Sequence, residues 1–134
     1  MYPALLIRQP EIRRLLPDVP VTVSVLPYDL SAWSSCCREA ELVVQCTTAG
    51  LRQEDTSVLP PSAFRQGQML YDIVYTQRVT PTMRAALEAG ADAVNGAGML
   101  VYQGAAAFAL WTGMDADTVA MRAALEHHIY GGHD

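Results

Sequence analysis

Three short stretches carry residue types able to do chemistry: Thr47-Thr48-Ala49-Gly50, Asp72-Ile73-Val74-Tyr75, and Asn95-Gly96-Ala97-Gly98 with Gln103 behind it. Hydroxyls beside a glycine let backbone approach a flat ligand closely while offering hydrogen-bond donors. The same residues also suit a plain strand-to-loop turn. Asp72 could be a general base, but a lone carboxylate more often fixes its own turn by accepting backbone amide hydrogens. Tyr75 offers an aromatic wall with a hydroxyl, or simply core packing. Gln103 stands in a run with no charge between Asp92 and Asp115. The expectation is a buried helix, in which an amide without partners costs about 1–3 kcal/mol. A substrate hydroxyl would satisfy it, and so would another helix.

The elements that must position these groups alternate between strand and helix. Ala4–Ile7 reads as a short strand, and Pro10 suits the first turn of a helix to Leu16. Val21–Val25 alternates apolar and polar, as strands with one less-buried face do. Asp29 or Ser31 is placed to cap a helix towards Ala40. Leu42–Cys46 and Met69–Val74 read as buried strands, separated by a polar, Pro-bearing loop over 52–62. Thr80, Pro81 and Gly90 mark the cap, first turn and exit of a helix. Ala93-Val94 allows one further short strand. A helix from Gly96 to near Gly113 follows, and a last one runs from about Asp117 to Ile129. Alternation of this kind implies a parallel sheet in an α/β fold. Ligands of such sheets sit at the carboxyl ends of the strands, and the three stretches are predicted to meet there.

Composition narrows the functions. The chain has 134 residues, 51% of them hydrophobic and 17% charged, with a net charge of −5. That is one domain's worth of sequence without the basic stripe of a nucleic-acid surface. The uncharged run is interrupted by Asn95, Gln103 and glycines, which argues against a membrane span. No segment has the order of a signal peptide, so a cytoplasmic protein is expected. Cys36, Cys37 and Cys46 form no C-x-x-C pair, and His127, His128 and His133 have no acidic or cysteine partner at fixed spacing; no metal site is expected. Gly96-Ala97-Gly98 begins a G-x-G-x-x-G pattern, but the third glycine position is Val101 and the fingerprint fails. All nine basic residues are arginine, and there is no lysine.

Taken in order, Leu42-Val43-Val44-Gln45-Cys46-Thr47-Thr48-Ala49-Gly50-Leu51, Leu59-Pro60, Tyr71-Asp72-Ile73-Val74-Tyr75, Thr80-Pro81, Gly96–Gly104 and Phe108–Gly113 resemble the shikimate dehydrogenase family. A fainter similarity begins at Ile7-Arg8-Gln9-Pro10. The resemblance implies NADPH-dependent reduction of 3-dehydroshikimate to shikimate, a step of aromatic amino acid biosynthesis. It implies cofactor contacts at Arg8, Thr47, Ile73 and Gly96, and substrate contacts at Tyr75 and Gln103. It divides the chain into a partial Rossmann-like nucleotide-binding domain over 1–95, without its first strand and glycine-rich loop, and C-terminal helices over 96–134 that would pack on a substrate domain. Gln45 and Cys46 stand where asparagine and alanine are usual, and Gln77 where proline is. Ile7 and Gln9 replace polar neighbours of Arg8, which leaves NAD open beside NADP and quinate beside shikimate. The family's catalytic lysine and aspartate lie in an N-terminal domain, and this chain has no lysine. The expectation is an inactive C-terminal portion; the alternatives are half of a split enzyme with a separate N-terminal partner, or a non-catalytic interaction module.

Overall fold

A computed structural model describes Ser24, Leu26, Pro27 and residues 29–131. The expected elements Ala4–Ile7, Pro10–Leu16 and Val21–Val25 fall, Ser24 apart, outside those residues. Within them the order is α1 (Leu30–Glu39), β1 (Leu42–Gln45), a 3-10 turn (Pro61–Ala63), β2 (Met69–Asp72), α2 (Pro81–Glu88), β3 (Asp92–Asn95), α3 (Ala97–Thr112) and α4 (Thr118–Tyr130). The three strands form one parallel sheet in the order β1-β2-β3. Val43 pairs with Leu70, which pairs with Ala93.

Local chemistry places the helix starts. Asp29 caps α1, its Oδ1 accepting from the Ser31 and Ala32 amides at 2.6 and 3.2 Å. Thr80 caps α2 through Met83, with Pro81 in the first helical position. Asp117 caps α4, accepting from Val119 and Ala120 at 3.0 and 2.9 Å. Asp117→Ala removes the acceptor for those two amides on a helix with no buried residue. The expected loss is about 1 kcal/mol, read as fraying of the first turn of α4 by amide exchange.

Two strands end earlier than their apolar runs suggest, because side chains take over their last amides. The Gln45 Oε1 accepts from the Thr47 amide, and the Asp72 Oδ1 accepts from the Val74 amide at 3.0 Å. Both contacts turn the chain out of the ladder.

One face of the sheet is covered. Leu70 is fully buried there among Cys37, Phe64, Met83 and Ala86, which α1, α2 and the 3-10 turn supply. Gln68 is buried beside this core, and its amide donates to the carbonyls at the end of α1, Cys37 at 2.6 Å and Ala40 at 2.7 Å. The opposite face shows Leu42, Val44, Met69 and Val94, all exposed.

The uncharged helix departs from expectation. Among α3 residues only Ala97 and Val101 are buried, while Leu110 and Trp111 are 83% and 81% exposed. Apolarity all round a helix specifies burial, but among the described residues the cover for α3 is largely α4. The two approach closely at Gly104, where an added Cβ would lie 3.2 Å from the Met121 methyl.

Candidate functional site

At the carboxyl ends of the strands, two backbone turns and one helix start are locked together from beneath. Asp72 is fully buried. Its Oδ1 accepts from the Gln45 side chain at 3.1 Å and from the Val74 amide, and its Oδ2 accepts from the Thr80 hydroxyl at 2.6 Å. Gln45 also donates to the Ala49 carbonyl at 2.9 Å. The turn after β1, the turn after β2 and the cap of α2 therefore share one buried network. Asp72 has its acceptor capacity committed to structure, which favours the turn-fixing reading over a general base.

The third turn joins by contact. The Gly96 amide donates to the Val74 carbonyl at 3.2 Å, and a Cβ built on Gly96 would lie 2.0 Å from the Ile73 carbonyl oxygen. With φ −75° and ψ −1°, any residue could adopt this backbone; the requirement is for the missing side chain. Thr47, Ile73 and Gly96 thus stand at the same end of three neighbouring strands.

Further hydrogen bonds fix the surroundings. Asn95 accepts from the Ala97 amide and donates to the carbonyls of Gln77 and Arg78. The Tyr130 hydroxyl, from the end of α4, accepts from Asn95 at 3.0 Å and donates to the Tyr75 carbonyl at 2.8 Å. The Arg78 guanidinium lies 4.4 Å over the Tyr130 ring. Gln77 holds the loop after β1 by donating to Gly50 and Arg52 at 2.9 and 3.1 Å. A groove of about 550 Å³ opens on the Thr47-Thr48-Ala49 turn, with Leu51, Arg52 and Asp55 as its other walls.

Asp55 accepts from the amides of Arg52 and Gly50. These bonds, Arg52's first, hold its carboxyl below the usual carboxylate range. A depressed folded value means that the ionised group stabilises the loop above the unfolded value of about 4 and that this contribution is lost as pH falls through the folded value. Asp55→Asn is expected to flatten the acid limb of the stability curve; urea midpoints of both proteins across that range check it.

Of the residues singled out in the sequence, Thr47, Ile73, Tyr75 and Gly96 lie at this rim. Arg8 lies outside the described residues. Gln103 corrects one expectation: it is exposed, and its amide donates to the Leu100 carbonyl of its own helix at 3.2 Å. It is not a buried amide seeking a partner, because the surface of α3 around it is uncovered. The organising roles of Gln45, Asn95 and Tyr130 were not anticipated; a glutamine ending the apolar run Leu42-Val43-Val44 was the available signal for the first of them.

Among the described residues no group of three His, Cys, Asp or Glu side chains is placed to hold a metal, and no helix is long and apolar enough to cross a membrane.

Comparison with known proteins matches residues 96–126 to the family described as Shikimate 5'-dehydrogenase C-terminal domain. The NADP(+) shikimate dehydrogenase of Halobacterium salinarum is 45% identical over 91 residues, which are 68% of this chain and 34% of that protein. That of an Anaeromyxobacter species is 44% identical over 109 residues, 81% of this chain and 37% of the relative. Among solved structures, the Thermus thermophilus shikimate 5-dehydrogenase in complex with NADP(H) and shikimate superimposes with a TM-score of 0.65 at 36% identity, covering 70% of this chain and 36% of that one. The quinate dehydrogenase of Corynebacterium glutamicum in complex with NAD gives a TM-score of 0.67 at 26% identity, covering 75% and 36%. The chain spans about a third of the length of the relatives it matches. The parallel sheet with its following helices is part of their Rossmann-type domain, and the chain belongs to the shikimate dehydrogenase family, matching the C-terminal third of its members.

Proposed function

We propose that this chain supplies the cofactor-facing rim of an NADPH-dependent shikimate dehydrogenase and is inactive by itself. The observation that carries the reading is the buried tie between Gln45, Asp72 and Thr80, together with the contact of Gly96 on Ile73. They hold the three family-matching turns on one rim.

The residues present fit a nicotinamide cofactor. The Thr47–Ala49 groove offers hydroxyls and the Arg52 guanidinium, and Ile73 and Gly96 present backbone at the strand ends, where ligands of such sheets bind. When bound, that cofactor supplies the hydride. Thr47, Ile73 and Gly96 would hold it, with Arg8 near the adenosine ribose. Tyr75 and the exposed amide of Gln103 would orient a small hydroxylated acid. Residues 1–95 form the nucleotide-binding part in this reading, and residues 96–134 the helices that face a substrate domain, which accounts for the uncovered Leu110 and Trp111. The family resemblance assigns the proton that accompanies hydride transfer to a lysine and an aspartate of an N-terminal domain; this chain has no lysine, and positioned acid–base help is worth about 10²–10⁴-fold.

Assay of the pure chain with NADPH and 3-dehydroshikimate is expected to give no turnover, and turnover at family levels would overturn the claim of inactivity. Adding the N-terminal portion of a relative is expected to restore turnover; a complex that forms without it favours a non-catalytic interaction module. The likeness to an NAD-complexed quinate dehydrogenase supports a second reading, which the same assay with NAD and quinate separates.

A further inference from the structure

A second groove, of about 670 Å³, lies along β3. Its walls include Tyr71 of β2, Val94 of β3, Met99 and Tyr102 of α3, and the side chains of Arg78 and Arg122. Its volume is in the range of small-molecule sites. None of the residues assigned to cofactor or substrate, Thr47, Ile73, Tyr75, Gly96 and Gln103, is among its walls.

Charge marks the groove as a site for an anion. The chain has 14 acidic and nine basic residues, yet two arginines and no carboxylate wall the groove. The arginines come from separate elements, Arg78 from the loop before α2 and Arg122 from α4. The Arg78 guanidinium carbon lies 4.4 Å from the Tyr130 ring centroid. Such a contact fixes the group by its face and leaves its N–H donors for other partners. Tyr130 is itself anchored, through Asn95 and the Tyr75 carbonyl. Arg122 stands over the first turn of α3, its Nη2 3.5 Å from the place of a Gly98 Cβ. Gly96 offers that turn no capping side chain, so the positive end of the helix adds to the guanidinium charge. The ion pair of Arg122 with Glu126 is 3.8 Å long and solvent-exposed. A pair of that kind contributes little and is readily exchanged for a ligand.

The remaining walls select the body of the ligand. Two tyrosine rings, a valine and a methionine thioether suit a flat apolar group better than a polyol. We propose that this groove binds a small aromatic carboxylate. The Arg78 and Arg122 guanidiniums take the carboxylate, and the ring packs on Val94, Met99 and the two tyrosines.

The test is a titration of the whole ¹⁵N-labelled chain with 4-hydroxybenzoate, read by NMR at the Gly98, Met99 and Tyr102 amides. The expected result is saturable shifts at these amides with a Kd of about 1 mM or below, in the range open to a ligand of about ten heavy atoms. Arg78→Gln and Arg122→Gln are each expected to raise the Kd about tenfold or more, the loss of a hydrogen-bonded charge. Arg84→Gln, at an exposed arginine outside the groove, should leave it unchanged. Should either groove variant lose the parent's circular dichroism, the matching lysine variant, which keeps the charge and loses the planar fork, is read instead. No saturation up to about 10 mM overturns the proposal. So does an equal loss in Arg84→Gln, which marks general attraction of an anion to the surface. Inorganic phosphate shifting the same amides at equal or lower concentration overturns the aromatic ligand, and shikimate doing so joins the groove to the substrate site and overturns it as well. NADPH is titrated separately and read at the Thr47 and Ile73 amides, so the functional reading stands or falls there without bearing on the groove.

Discussion

Gly96→Ala is expected to destabilise the chain by about 3 kcal/mol or more, at or above the upper range for overpacking a tight site. The added Cβ would lie 2.0 Å from the Ile73 carbonyl oxygen and 2.6 Å from its carbon. Neither atom can move like the tip of a side chain. Relief requires the ends of β2 and β3 to separate, which breaks the bond from the Gly96 amide to the Val74 carbonyl. Since Gly96 has ordinary helical backbone angles, alanine's better helix propensity gives no compensation of comparable size. Gly98→Ala is the control: its nearest neighbour is the Arg122 guanidinium at 3.5 Å, an ordinary contact with a flexible side chain. Urea unfolding of the two variants should differ by most of the Gly96 loss. Equal midpoints would mean that the rim is not packed as described.

Asp72→Ala is expected to cost about 3–5 kcal/mol. The carboxylate serves the Val74 amide, the Thr80 hydroxyl and the Gln45 side chain, all in the interior. Its removal leaves two of those donors, from Val74 and Thr80, without a partner, and each buried group so stranded costs about 1–3 kcal/mol. Gln45 keeps the Ala49 carbonyl. Against the roughly 5–15 kcal/mol that holds a typical domain, such a loss removes a large share of the total stability. Asp72→Asn retains an acceptor for Val74 and should lose less than half as much. The same ordering is expected in amide exchange at Thr47 and Val74, because both turns hang on this side chain. Identical stability for the alanine and asparagine variants would show that the acceptor is not what matters.

Much of the local architecture was legible because it is set by near neighbours in the chain. Asp29, Thr80 and Asp117 cap helices through amides two or three residues away. Pro81 and Gly90 bound α2 by backbone preference, Gly90 having φ +81°. Apolar runs marked β1 and β2, and the order of short motifs pointed to the family that the comparisons show. Side-chain competition was harder to see: Gln45 and Asp72 each take an amide from their own strand's continuation, so both strands stop short.

What the sequence by itself determined was the succession of strand and helix and the three turns able to face a ligand, since those depend on periodicity, capping and residue type. What only the tertiary structure decided was what those turns and apolar surfaces meet. Gly96 lacks a side chain because the Ile73 carbonyl occupies its place, a contact between residues 23 positions apart. Gln103 lies exposed, and α3, with no charged residue, remains largely uncovered. Hydrophobicity records that a surface is to be buried; whether it is buried depends on which other segments are present to cover it.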